Sequence, residues 1–343
     1  MRAEKSSNWL TAAEKYRSAM LKDFTNPDHQ LRLAMMLDRL ALVNEAKAHA
    51  LVAIDSTLTA RYDARAAHRV HPTFFAARHE MADFILDNRE VLDRRIQSRI
   101  DRTDAVVPGD TKVFVYWDDP QTTPAIAKAC RASLHSFVDD GFTLIELDDG
   151  NLDEHIAIDA SVRDRLAGKP AHFSDYLRSR LLQEHGGLWL DSTCLLTQPL
   201  SSIVSMVQDQ EAFLFTYAGS RVGSWFFWAR PTSYVLNAIA ETEILWWERN
   251  DHLTNYFMWH DIVEMLYWTD PLYARAWDDM RKIHPREALG VLGELEKPFD
   301  QERYDELVRA SGVHKLTYKL PREAFEADTF AGQIVLRHLP EGA

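Results

Sequence analysis

Apolar positions along the chain change rhythm once, and the change divides it. In residues 1–105 they recur at helical spacing. Within "NPDHQLRLAMMLDRLALVNEAKAHALVAID", Leu33, Met36, Leu37, Leu40 and Val43 fall on one side of a predicted helix. Pro27 stands just ahead of it, as at a helix start. A second long helix is predicted from Phe74 to Ile100, with Phe74, Met81, Ile85, Leu92 and Ile96 on one face. No glycine occurs in these 105 residues, and Ala, Arg and Leu, all good helix formers, are the commonest residues. This region is expected to be all-helical, as a bundle or a docking arm.

From residue 106 the pattern becomes short apolar runs separated by helical stretches. Pro108-Gly109 is a turn signal. Lys112–Trp117 and Phe142–Leu147 read as strands, with a helix over Pro124–Val138 between them. That order predicts a parallel sheet with right-handed crossovers. "FSDYLRSRLLQEHGG" reads as a helix with Ser174 as its N-cap and Gly186 at its end, turning straight into a Leu188–Leu190 strand. "AFLFTYA" and "SWFFWAR" add two strands, and Pro231–Asn250 and Leu253–Trp268 two helices. The expected fold is α/β with a mainly parallel central sheet over residues 106–343, preceded by the helical region 1–105.

Charge and composition narrow the partners. Residues 1–105 carry 17 basic and 15 acidic side chains, and the remainder 22 and 37, so the overall charge of −13 lies in the body. An acidic body argues against a nucleic-acid partner but leaves room for a small phosphorylated ligand. Two cysteines, Cys130 and Cys194, make neither a disulfide framework nor a zinc cluster and suit a reducing cytoplasm. No apolar leader and no run near the ~18 residues of a membrane span are visible, so the expectation is a cytoplasmic protein, at most peripheral at the inner membrane face.

Ligands of open α/β sheets bind beyond the carboxyl ends of the strands. Three features fall there. "YWDDP" offers Trp117 to stack on a base and Asp118 or Asp119 to bond a base or ribose edge; a plain strand-end turn explains it equally well. Asp175 and Arg178 share one helix face, as a ligand clamp or a local ion pair. Asp191-Ser192-Thr193 ends a strand in one carboxylate, which holds Mn²⁺ or Mg²⁺ only if a diphosphate supplies further oxygens. His260 is a candidate second metal ligand or a surface histidine beside Asp261. Lys315 and Lys319 are candidate phosphate contacts or solvated lysines. Most rings of "ILWWERNDHLTNYFMWH" are expected in the core. No Gly-x-Gly-x-x-Gly follows the first strand, which disfavours a dinucleotide-dependent oxidoreductase.

The order "KVFVYWDDP", "PAIAKACRASLHSF", "HFSDYLRSRLLQEHGGLWLDSTCLLTQPL", "SWFFWARP", "NYFMWHDI", "HKLTYK" resembles the capsular polysaccharide synthesis family of bacterial glycosyltransferases over about residues 110–320. That family is similar to glycosyltransferase family 32. The resemblance implies a GT-A fold, a nucleotide-sugar donor (a UDP-sugar ahead of a GDP-sugar), a glycan or lipid-linked glycan acceptor, a divalent cation, and retention at the anomeric carbon. It implies Trp117 at the base, Asp175 and Arg178 at the sugar or ribose, and Asp191 as first acid of an Asp-x-Asp metal motif. Thr193 stands where the wider superfamily has its second acid. This keeps open the alternative of a non-catalytic nucleotide-sugar-binding or assembly protein. The helical region, outside the resemblance, is the candidate for docking on a membrane, a partner or a second copy.

Overall fold

The computed structural model describes residues 9–22, 29, 32–33, 36, 72–101, 110–218 and 221–339. They form two compact units. One holds the described residues up to Arg99 together with Tyr217–Val222 and Asn237–Asp279; the other holds the rest. The helical unit therefore takes in a later stretch of chain as well as the N-terminal one.

Helices Trp9–Lys22, Pro72–Asp87, Met258–Thr269 and Pro271–Asp279 belong to this unit, with most of Arg89–Asp101 and Tyr234–Arg249. Its core includes Met81, Ile85, Leu92, Ile96, Trp246, Trp247, Trp259, Tyr273 and Trp277, all buried. Leu33 and Met36 are buried too. Pro27, Leu37, Leu40, Val43, Pro108 and Gly109 lie outside the described residues. The single helix expected over 74–100 is two, broken at Asn88. There the side-chain amide donates to Phe84 O at 2.6 Å, and such a local bond competes with the helical ladder. The helix expected from Leu253 begins only at Met258.

Basic residues on the N-terminal helices meet acids of the later ones. Arg78 pairs with Asp261 at 3.3 Å and Glu264 at 2.7 Å, Arg89 with Asp270 at 3.0 Å, Arg95 with Glu248 at 2.8 Å and Arg99 with Glu241 at 3.1 Å. Asp270, Glu241 and Asp261 are buried, so these pairs stand where an uncompensated charge is costly.

The second unit is mixed α/β, with parallel strands at its centre. Its strands are β1 (Thr111–Tyr116), β2 (Phe142–Leu147), β3 (Gly187–Leu190), β4 (Cys194–Leu196), β5 (Ala212–Ala218), β6 (Arg221–Ala229) and β7 (Val313–Lys315). Tyr217, Ala218, Arg221 and Val222, at the ends of β5 and β6, belong to the first unit. The main sheet runs β2-β1-β3-β6-β5. β1 is parallel to both β2 and β3, and β6 is antiparallel to β3. Val113, Val115, Leu188 and Leu190 alternate onto one face and share a core with Leu134, Phe213, Phe226 and Trp228. A small second sheet pairs β4 with β7, Cys194 opposite Lys315. Behind it, Ile126, Ala129 and Cys130 pack with Leu195, Leu316 and Phe330. Among the described residues no helix is long and apolar enough to cross a membrane.

Candidate functional site

Helix Pro170–His185 runs into β3 with almost no linker. It begins at Pro170, not at Ser174, because the fixed φ of proline suits a first helical position; Lys169 takes the N-cap place and Ser174 lies in the second turn. Asp175 and Arg178 are therefore inside the helix, beyond its first turn. The helix ends as expected at Gly186 (φ 65°), followed by Gly187 at φ 101°. Only glycine adopts this pair of left-handed conformations easily. A Cβ on Gly187 would stand 2.2 Å from Lys112 O of β1. The turn sets β3 against β1 and fixes where β3 ends.

β3 runs into Asp191, whose amide donates to Trp225 O at 2.9 Å. One residue on, Ser192 Oγ donates to Tyr116 O at 2.6 Å, tying the carboxyl ends of β1 and β3 together. Asp191 Oδ1 accepts from Arg178 at 3.1 Å and from the Trp189 indole at 3.0 Å. Its Oδ2 accepts from Lys315 Nζ at 2.8 Å. The same ammonium donates to Thr193 Oγ1 at 2.6 Å. Arg178 also bonds Asp175 and lies 5.4 Å from the centre of the Trp189 ring. His172 Nδ1 stands 3.9 Å from Asp175 Oδ2. Asp175, Arg178, Asp191, Thr193 and Lys315 are thus one constellation.

Lys315 arrives through the pairing of β7 with β4. Leu316 N donates to Thr193 O at 2.8 Å, and the antiparallel register sets Lys315 beside Cys194. Trp189 and His172 are members that sequence reading missed. Trp189 reads there as a core strand residue, and His172 falls ahead of the helix expected from Ser174.

The electrostatics follow from this packing. Burial alone would raise the Asp191 carboxyl, but Lys315 and Arg178 hold it well below the usual carboxylate range. Burial pushes Asp175 up to about 6, with Arg178 opposing and the charge of Asp191 assisting. Burial works against the charge on Lys315, yet Asp191 more than offsets it and the ammonium is held above its ordinary range. Asp191 and Lys315 keep 24% and 22% of their side-chain surface exposed, so the cluster is open to a ligand.

Trp117 follows β1. Its ring meets Tyr318 edge-on at 5.4 Å, and its buried indole N–H has no hydrogen-bond partner among the described residues. Asp118 is exposed, with its carbonyl accepting from Asp149 N at 3.1 Å. Asp119 caps the short turn after it through Gln121 N at 2.9 Å. Lys319 sits 5.9 Å from the Tyr318 ring centre. His260 belongs to the helical unit, on Met258–Thr269, its ring against Phe257 and Trp259. The tryptophans of "ILWWERNDHLTNYFMWH" are buried, as expected, while Tyr256 and Phe257 are exposed.

The donor set fits a divalent ion poorly. Such an ion takes about six oxygen ligands, several of which waters and substrate phosphates can supply. The Asp191-Ser192-Thr193 segment offers one carboxylate and one hydroxyl that both already accept from Lys315, and Asp175, the other carboxylate of the cluster, is taken by Arg178. Among the described residues no group of three or more His, Cys, Asp or Glu side chains is placed to hold a metal.

No curated protein matches the chain. Among solved structures, the apo structure of WbbM, a bifunctional glycosyltransferase, is similar with a TM-score of 0.39 and 10% identity, over 69% of this chain and 51% of that one. The chain thus spans about half of that protein. Residues 68–334 match the family described as capsular polysaccharide synthesis protein. The match begins well before residue 110, so helices that the sequence resemblance left outside lie within it. With more than half of its length matched, the chain belongs to the capsular polysaccharide synthesis protein family.

Proposed function

We propose that the second unit is a GT-A-type glycosyltransferase domain that moves a sugar from a nucleotide-sugar, a UDP-sugar ahead of a GDP-sugar, to a glycan or lipid-linked glycan acceptor, with retention of configuration. The observation that carries this is the Asp175–Arg178–Asp191–Lys315 chain at the carboxyl end of β3, tied through Ser192 to the end of β1, where Trp117 stands. Family membership supports a role in building a surface polysaccharide.

The assignment of roles follows the geometry. Trp117, half-buried just after β1, meets the base. Arg178, aligned by Asp175 and Asp191, faces the sugar and diphosphate. In the transfer, the bond between the anomeric carbon and the β-phosphate oxygen breaks, and its electron pair leaves with the nucleoside diphosphate. The acceptor hydroxyl oxygen bonds the anomeric carbon on the same face, and its proton passes to the leaving phosphate. Charge grows on that phosphate, and prepositioned cations beside it are the effective form of help. Asp191 is held too acidic to serve as a general base, which works best with a pKa near the operating pH. Asp175, pushed up to about 6, is already taken by Arg178, which leaves the phosphate to accept the proton on the same-face route.

A thermal-shift screen of the purified protein against UDP- and GDP-sugars tests the reading, because a ligand bound at a hundred times its Kd stabilises by about 2.7 kcal/mol. A shift with at least one nucleotide sugar, followed by release of the nucleoside diphosphate when acceptor is added, is expected. Absence of both with all donors would leave the non-catalytic assembly reading in its place. The anomeric configuration of the product, read by NMR, tests retention.

A further inference from the structure

We propose that the Lys315 ammonium, seated between Asp191 and Thr193, is the cation that receives the donor's diphosphate at this site, and that it does so in place of a divalent metal. The inference rests on the glycosyltransferase reading above and deepens it.

Lys315 Nζ lies 2.8 Å from Asp191 Oδ2 and 2.6 Å from Thr193 Oγ1. Those two oxygens are the ones that an Asp-x-Asp-like motif would direct at a metal ion. Position 193 decides which cation belongs there. Two carboxylates facing one ammonium would leave a net negative charge, which a divalent ion corrects. With a neutral threonine, one ammonium balances one carboxylate, and no deficit remains.

The hydrogen-bond inventory also points outward. An ammonium has three N–H donors. Two are engaged by Asp191 and Thr193, which leaves one for a phosphate oxygen. The Thr193 hydroxyl accepts from Lys315, so its own proton is directed elsewhere and can meet a second phosphate oxygen. Arg178 flanks the other oxygen of Asp191. The diphosphate thus meets an ammonium and a hydroxyl proton, with the buried guanidinium of Arg178 behind Asp191 adding positive charge.

This arrangement is built into the fold. Lys315 is anchored by its backbone on both sides: its amide donates to Ala288 O at 2.9 Å, and the next amide donates to Thr193 O at 2.8 Å. The lysine is therefore placed by sheet register and not by its flexible stem alone.

The test is calorimetric binding of UDP and GDP to the full-length protein, in excess EDTA and in Mn²⁺, with wild type, Lys315→Met and Thr193→Asp. Folding of each variant is checked by its melting curve. Wild type is expected to bind one nucleoside diphosphate with a Kd that differs less than threefold between EDTA and Mn²⁺. Lys315→Met is expected to weaken binding at least tenfold in both conditions, and Thr193→Asp to make binding depend on Mn²⁺. Wild-type binding that vanishes in EDTA and returns with Mn²⁺ overturns the inference and leaves the glycosyltransferase reading standing. So does a folded Lys315→Met that binds like wild type. Absence of binding to either nucleotide in both conditions overturns the glycosyltransferase reading itself.

Discussion

Lys315 and Asp191 are 124 residues apart in the chain and 2.8 Å apart in the fold. Two short strands of three residues each, β4 and β7, bring them together. The contact turns a lone strand-end acid into the centre of a charged cluster. It also makes Asp191 the hub whose removal is felt by Arg178, Trp189 and Lys315 together.

Asp191→Asn is expected to lower turnover at least a hundredfold, equivalent to about 2.7 kcal/mol of transition-state stabilisation. The amide still accepts one hydrogen bond, but Arg178 and Lys315 lose the charge between them, and the cost of a broken buried pair is expected to lower the melting temperature. Steady-state release of nucleoside diphosphate beside a melting curve measures both.

Arg178→Lys keeps the charge and loses the fork. A guanidinium presents parallel donors to Asp175 and Asp191 at once, and an ammonium is a point charge. A loss in kcat/KM of at least tenfold, about 1.4 kcal/mol, is expected. Wild-type kinetics for this variant would reduce Arg178 to a structural ion pair.

Trp117→Ala is expected to raise the donor KM about tenfold with a smaller change in kcat, since stacking on a base contributes about 1–3 kcal/mol. A fall in kcat alone would contradict its place at the base.

Gly187→Ala forces a methyl group to within 2.2 Å of Lys112 O at a backbone angle of φ 101°. Either β1 and β3 part or the turn rearranges, and Asp191 moves with it. A destabilisation of at least about 3 kcal/mol, read by urea unfolding, is expected.

In the helical unit, burial pushes the Asp261 carboxyl up to about 6, against the opposing charge of Arg78. Its folded pKa exceeds the unfolded value of 3.8, so the folded state keeps a proton that the unfolded state has lost. Stability from this group is therefore greatest below about pH 4 and falls as pH rises to about 6. Asp261→Asn should flatten that slope, and Arg78 retains Glu264 at 2.7 Å as a partner. Melting temperatures of both proteins from pH 4 to 7 measure it.

Local pattern made much of the second unit legible. β2 and β5 fall where apolar runs predicted them, and Gly186-Gly187 announced the turn that delivers Asp191. Asp175, Arg178 and Asp191 were readable because one helix, one turn and one strand place them over seventeen residues of continuous chain. What stayed hidden depends on distant pairing. Lys315 reads in the sequence as a candidate phosphate contact or a solvated lysine, and its pairing with Asp191 stays hidden because three-residue strands carry no periodicity. Trp189 looked like core because its ring is buried, and only its N–H reveals the second role. The helix starts more than a turn ahead of Ser174 because Pro170 is also a good starting residue, and proline prevails. Residues 237–279 gave no local sign that they join the N-terminal helices, since the acids that meet Arg78, Arg89, Arg95 and Arg99 look like ordinary surface charge until the helices pack.

The central claim is that the Asp191 cluster transfers a sugar from a nucleotide-sugar. Its most direct measurement is nucleoside diphosphate release from UDP- and GDP-sugars by wild type and folded Asp191→Asn side by side, with a glycan acceptor present. Release by wild type from at least one donor, at least a hundredfold faster than by the variant, is the predicted result. Equal rates in the two proteins would contradict it.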